Sequence, residues 1–224
     1  MLDFCSQRDL PIYMAFLDFE KAFDRVNWQF RDLIMAKMGF PPSFIRVIQG
    51  LYTNSCNHLL INGSPSRPIA QTRGVRQGCP LSPFLFAIFA EPLGLLLRSL
   101  APLDPSRPPC GFPTPPYHGY PGIRMVASQF ADDTTVYAQS AEALRFTLGA
   151  VQSEFCQASG ARLNAMKTRT LLGGDATPPP DPVVDPLHPW RAIVLNVIQE
   201  DQMLNSLGAV YSPNLPPLGR FDAI

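Results

Sequence analysis

Proline divides this chain before any other residue type does. Of 224 residues 25 are proline, roughly double the usual share. Eight of them fall within 101–122, and a second cluster runs through 176–189. Each proline fixes φ and removes a backbone donor, so neither a regular helix nor a central strand passes through such a stretch. Regular structure is therefore expected before 101 and between 122 and 176. The remaining composition is that of a folded chain: 46% hydrophobic, 10% aromatic and only 16% charged. That excludes a wholly disordered polar polypeptide, and the length suits one domain or a domain and a half.

Charge and cysteine narrow the function classes. The 18 basic and 18 acidic side chains cancel, which argues against a globally basic nucleic-acid-binding protein. The average hides a stripe, however. From Leu33 to Ala90 the chain carries Lys37, Arg46, Arg67, Arg73 and Arg76 and no acidic residue. A solvated face and a track for phosphates both account for it. Cys5, Cys56, Cys79, Cys110 and Cys156 are scattered and odd in number. They read as reduced thiols, not as a disulfide framework or zinc site. The amino terminus lacks the apolar core of a signal peptide. The longest apolar run, Phe84 to Leu97, is interrupted by Glu91-Pro92 and is too short to span a bilayer, so a buried helix is expected there and no membrane partner. An intracellular location is expected.

The pattern of elements is legible between the proline clusters. Ile12 to Leu17 is an apolar strand-type run ending at Asp18. Asn27 is placed to cap a helix whose period is given by Trp28, Phe30, Leu33, Ile34 and Met38 and which stops at Gly39. Ser43 is placed to cap a second helix. His58 to Ile61 with Asn62-Gly63 predicts a hairpin whose return strand lies near Pro68 to Thr72. A helix is expected from about Pro83 to Leu100. Met125 to Ala131 and Thr134 to Ala138 are β-prone runs around the Asp132-Asp133 turn. Ser140 then caps an amphipathic helix with Leu144, Leu148, Val151 and Phe155 on one stripe and Gly160 as its stop. A last strand is expected near Thr168 to Leu172. This β-α-(α, hairpin, α)-β-β-α-β order predicts an α+β fold, with helices packed on one face of a mostly antiparallel sheet.

Two acidic sites sit where strands end. If the strands bearing Asp18 and Asp132-Asp133 lie side by side, three carboxylates meet at one sheet edge. Their repulsion would be relieved by cations such as Mg²⁺, which take hard oxygen ligands. A pair of such ions about 3.5–4 Å apart supports in-line displacement at phosphorus. Taken singly, each site is also ordinary turn or strand-end chemistry.

The surrounding text is more specific. Leu17-Asp-Phe-Glu-Lys-Ala-Phe-Asp-Arg-Val26, Arg73-Gly-Val-Arg-Gln-Gly-Cys-Pro-Leu-Ser-Pro83 and Phe130-Ala-Asp-Asp133 follow one another in that order. The set resembles motifs A, B and C of reverse transcriptases, specifically those of non-LTR (LINE-type) retrotransposons. Ser159 to Thr168 is similar to the family's motif D, and Leu207-Gly208 to a remnant of motif E. The likeness runs from about Ile12 to Leu172.

The resemblance implies a polymerase palm, a ferredoxin-like βαββαβ core with part of its fingers. By that likeness Asp18, Asp132 and Asp133 are the catalytic carboxylates and, with the carbonyl of Phe19, the ligands of two Mg²⁺ or Mn²⁺ ions. Phe23 falls at the family's steric gate against the ribose 2′-OH; read alone, it is a core phenylalanine. Gln77 and Gly78 lie beside the template base and incoming nucleotide, or introduce the next helix, or both. Lys167 sits near the triphosphate, and Arg73 and Arg76 contact nucleic-acid phosphates. The implied partners are an RNA template, a DNA primer and dNTPs, and the implied compartment is the nucleus.

Set against the family pattern, residues 1–175 read as palm with partial fingers, 101–122 as a proline-rich insertion and 176–190 as a linker. Residues 191–224 read as a remnant without a thumb. Two functional readings follow: an RNA-directed DNA polymerase palm, or an inactive retroelement relic with at most weak nucleic-acid binding.

Overall fold

Four strands form the centre of the computed structural model: β1 (Ile12–Leu17), β2 (Ala127–Phe130), β3 (Asp133–Ala138) and β4 (Arg169–Gly173). The structure describes residues 2–116 and 119–198, together with the backbone of a two-stranded ladder, Leu204–Ser206 with Ala209–Tyr211. The strands lie in the order β4-β1-β3-β2 and every neighbouring pair is antiparallel. Strand β1 is central and buried along its whole length, which is why it reads as an unbroken apolar run instead of an alternating one.

Side-chain alternation divides β1 between two cores. Tyr13, Ala15 and Leu17 join Val136 and Ala138 against the long helices. These helices are α1 (Trp28–Lys37), α2 (Pro42–Tyr52), α3 (Ser82–Ser99) and α4 (Ala141–Ala150). By length and composition alone α3 could cross a membrane, but Leu85, Phe86, Phe89, Leu93 and Leu97 are buried in this core. On the opposite face Ile12, Met14 and Phe16 pack with Tyr137, Leu171, Cys5, Phe112 and Ile198. The long helices thus do share one face, yet the other face is covered too, by short pieces from three distant parts of the chain.

Local chemistry accounts for the element ends. The Asn27 side chain accepts the Phe30 N–H at 3.0 Å, and Ser140 accepts the Ala143 N–H at 3.1 Å. We expect Ser140→Ala to cost about 1 kcal/mol in urea unfolding, because the first turn of α4 is held by that acceptor. Ser43 does not cap α2. The helix begins one residue earlier at Pro42, with no side-chain cap, because a proline at the first helical position arrives with helical φ and no orphan N–H.

The hairpin after α2 is two short ladders instead of one. Leu60-Ile61 pairs with Ser64-Pro65 across the Asn62-Gly63 turn, and Cys56-Asn57 pairs with Ile69-Ala70. Between them Ser66 substitutes its hydroxyl for a ladder group, accepting the Leu59 N–H at 2.9 Å. The turn joining β2 to β3 is Ala131-Asp132, with Ala131 at φ +52°, and Asp133 is already the first residue of β3. After α4 the helix widens into a π-turn over Val151–Cys156 before ending at Gly160. Period-3.6 counting cannot register that extra residue.

The proline-rich segments are not loose. Within 101–122, Phe112-Pro113 pairs with Arg124-Met125, and Cys110 and Phe112 are buried. The segment expected to be a loop therefore contributes to the sheet's second core. Residues 176–190, expected as a linker, lie against the domain. Tyr13 donates to the Thr177 carbonyl at 2.7 Å, buried Arg145 of α4 donates to the carbonyls of Pro180 and Ile193, and Trp190 packs edge-on against Phe146. Prolines lack donors, but their carbonyls accept, and here helix and strand side chains supply the donors. Leu207-Gly208 lie outside the described residues.

Candidate active site at the ends of β1 and β3

The carboxylates are positioned by strand register. Leu17 of β1 pairs with Thr134 of β3, so one step further along the same register Asp18 is level with Asp133. Alternation places both on the face that carries Phe16 and Thr135, away from the long helices. Asp133 is exposed and Asp18 is half-buried. Partial burial pushes the Asp133 carboxyl above the usual carboxylate range, and the negative charges of Asp132 and Asp18 push it further. Asp132, in the turn itself, is exposed. Among the described residues no three His, Cys, Asp or Glu side chains are gathered closely enough to hold a metal ion. The donor set is thus a pair across the register with a third carboxylate beside it.

The backbone of Asp18 is held from the other side. Its carbonyl accepts the Asn164 N–H at 2.7 Å and its N–H donates to Thr168 Oγ1 at 3.3 Å. Phe19 forms a bridge with Leu163, flanked by the Asn164-to-Asp18 and Glu20-to-Arg162 bonds. In such a pair the central residue's own N–H and C=O are directed away from its partner. The Phe19 carbonyl therefore points towards the β3 side, where Asp133 lies. Lys167 is exposed in the same 164–168 turn, its N–H bonded to the Asn164 carbonyl at 3.2 Å. Residues 150 positions apart are thereby brought to one end of β1.

The second group of expected residues lies on the loop leading into α3. Phe23 sits in a short 3₁₀ turn after Asp18, half-buried, its ring stacked on Phe86 of α3 at 4.7 Å and 7°. Its carbonyl accepts the Val75 N–H at 2.9 Å, and the Val26 carbonyl accepts the Gly74 N–H at 2.7 Å. This backbone pairing docks the loop on the turn. Gln77 and Gly78 are exposed beyond it. Gly78 has φ +82° with open space where a Cβ would stand, whereas Gly74, at φ +90°, would place a Cβ 2.9 Å from the Asp24 carbonyl oxygen. Gly74 thus packs closely on the turn after Asp18, while Gly78 stays open to solvent. Arg76 donates to Ser55 Oγ at 2.7 Å, Ser55 donates to Gln71 Oε1 at 3.0 Å, and Gln71 Nε2 donates to the Arg73 carbonyl at 3.1 Å. Arg73 and Arg76 are both exposed.

Trp28 and Gly74 are the residues the sequence reading missed. The Trp28 indole N–H donates to the Gly74 carbonyl at 2.7 Å. The available signal was a glycine three residues before Gln77-Gly78; nothing local to Trp28 identified its partner 46 positions away.

Residues 2–208 match the family model described as "Reverse transcriptase (RNA-dependent DNA polymerase)". The chain is 34% identical to the Transposon TX1 uncharacterized 149 kDa protein of Xenopus laevis, over 78% of its own length and 12% of that protein's. It is 30% identical to the RNA-directed DNA polymerase from mobile element jockey of Drosophila melanogaster, over 73% of this chain and 16% of that one. A similar match, 30% over 71% and 14%, is to the Pol polyprotein of retrotransposable element R2 of Nasonia vitripennis. The chain therefore spans only about an eighth to a sixth of these relatives. Among solved structures, apo telomerase of Candida tropicalis superposes with a TM-score of 0.56 at 13% identity, over 91% of this chain and 34% of that one, a likeness of fold.

Proposed function

Because the chain belongs to the reverse transcriptase family, of the kind carried by non-LTR retrotransposons, we propose that residues 1–175 are a polymerase palm with partial fingers. Its reaction would be addition of deoxynucleotides to a primer 3′-OH on an RNA template. The observation that carries this is the register that sets Asp18 level with Asp133 at the edge of a β4-β1-β3-β2 sheet. That strand order, with two βαβ-type crossovers through the long helices, is what a ferredoxin-like palm requires.

The donors fit hard divalent cations: the carboxylates of Asp18 and Asp133, Asp132 beside them, and the Phe19 carbonyl on the same side. When bound, two Mg²⁺ or Mn²⁺ ions would supply an acidified primer hydroxyl and a neutralised pyrophosphate. The chain's own residues do the rest by positioning. Gln77 offers both a donor and an acceptor to a template base. Phe23, with one ring face fixed on Phe86, presents its remaining edge to the sugar. Lys167, carried on the turn that holds the Asp18 backbone, supplies positive charge or a proton to the leaving group. Arg73 and Arg76 meet phosphates.

The test is primer extension on an RNA template with purified protein, dNTPs and Mg²⁺ or Mn²⁺, with the Asp132→Asn, Asp133→Asn double variant as control. We expect extension by the wild type alone. A second reading, nucleic-acid binding without catalysis, draws on the absence of a gathered three-carboxylate group among the described residues. Salt-sensitive RNA binding by a folded wild type that extends nothing would favour it.

A further inference from the structure

The exposed Gln77-Gly78 loop is held on the turn after Asp18 by two backbone bonds and by one side chain to which no functional role has been attached. We propose that Trp28 is a positioning residue for the nucleotide site, pinning the Arg73–Cys79 loop to the Phe23–Val26 turn; the inference rests on the polymerase reading above.

The geometry is a three-point junction. Two backbone bonds, Gly74 N–H to Val26 and Val75 N–H to Phe23, run between the loop and the turn. The third comes from Trp28, whose indole N–H reaches the carbonyl of the same Gly74 at 2.7 Å. Gly74 is buried, and among the described residues its carbonyl otherwise has only the Gln71 amide at 3.4 Å, a contact at the outer limit of a hydrogen bond. Without the indole, that buried acceptor is left close to unsatisfied, which penalises the docked loop and not the open one.

Trp28 is itself fixed from behind. It opens α1 directly after the Asn27 cap, and its ring packs on buried Tyr52 of α2 at 5.3 Å. The Tyr52 ring in turn lies 4.9 Å from the guanidinium of fully buried Arg31. The loop is therefore referenced to the helical layer, and through Phe23 and Phe86 to α3. Gln77 lies three residues beyond the pinned glycine and Phe23 within the pinned turn. Their separation is the dimension that a nucleotide between base and sugar contacts would sense. The carboxylates at the strand ends are held independently, by sheet register and the 164–168 turn.

This separation of supports predicts a separable defect. Trp28→Phe keeps a smaller aromatic ring against Tyr52 and removes the donor together with part of the indole. We expect the KM for dNTP to rise about tenfold with kcat within about threefold and the Mg²⁺ concentration for half-maximal extension unchanged. In hydrogen exchange, the amides of Gly74 and Val75 should exchange at least about tenfold faster than in the wild type, while β1 amides stay within about twofold. Gly74→Ala attacks the same junction from the loop side, through its φ of +90° and the 2.9 Å approach to Asp24, and should reproduce the pattern. Unchanged exchange at Gly74 and Val75 would overturn the inference. So would faster exchange with an unaltered KM, or a loss confined to kcat. A wild type that extends no primer overturns the polymerase reading instead, and the pinning is then decided by exchange alone.

Discussion

Asp18→Asn is expected to lower primer extension by about 10³-fold or more while leaving the protein at least as stable as the wild type. The loss is large because the substitution removes a charged oxygen donor from a site that would stabilise developing charge, a contribution of several kcal/mol at tenfold per 1.36 kcal/mol. Stability is spared because the fold uses the backbone of residue 18, bonded to Asn164 and Thr168, and asparagine keeps that backbone and nearly the same shape. Stability can rise because the carboxyl of Asp133 is pushed upwards by partial burial and by the charges of Asp132 and Asp18. Since the folded state resists ionisation of Asp133 more than the unfolded chain does, the penalty is absent below the ordinary aspartate range. It grows as pH climbs through the raised value and is complete above it. The wild type should therefore lose stability across that window, and Asp18→Asn should lose less. Millimolar Mg²⁺ should raise the wild-type melting temperature at neutral pH, where the carboxylates are ionised, and should do so much less for the variant. Extension within tenfold of wild type by Asp18→Asn would remove that residue from the proposed site.

The parts of this architecture that were readable in advance are those written in short-range chemistry. A strand buried on both faces leaves an apolar run, and Asp18 and Asp133 mark strand ends because a charged residue there stays near water. Asn27 and Ser140 cap their helices through bonds three residues long. The parts that stayed hidden depend on partners far away. Thr177, Pro180 and Ile193 are docked by carbonyls, a capacity every residue possesses and no residue type advertises. The π-turn at Val151–Cys156 preserves the apolar stripe, so Phe155 is buried as expected although the helix is locally wider. Ser66 interrupts the hairpin with a hydroxyl that resembles any other loop serine. For the candidate site, the order of the motifs indicated the carboxylates, but the register that levels Asp18 with Asp133 and the Trp28 bond to Gly74 emerge only from the folded chain.

The segment 101–122 offers the second large effect. Phe112→Ala is expected to destabilise the protein by about 3–5 kcal/mol, a fall in melting temperature of about 6–20 °C for a chain of this size. Composition argues the opposite, because a stretch with eight prolines reads as a detachable insertion whose substitutions are close to neutral. The contacts decide between them. Phe112 is 0% exposed and belongs to the smaller core with Ile12, Met14, Phe16, Tyr137, Leu171 and Ile198, on the sheet face opposite the long helices. That core has few members, and its cover arrives in separate short pieces, so a missing ring is not easily refilled by a neighbouring helix sliding inwards. The cavity term is accordingly near the top of its range. Phe84→Ala, at a ring 69% exposed at the start of α3, provides the contrast and should stay within about 0.5 kcal/mol. Phe16 joins the same cluster two residues before Asp18, on the face to which alternation assigns the carboxylates. A loosened Phe112 site should therefore also weaken Mg²⁺-dependent stabilisation, measured by melting with and without the ion. A near-neutral Phe112→Ala would return 101–122 to the status of a passive loop, and leave the second face of the sheet to be closed by the rest of its cover.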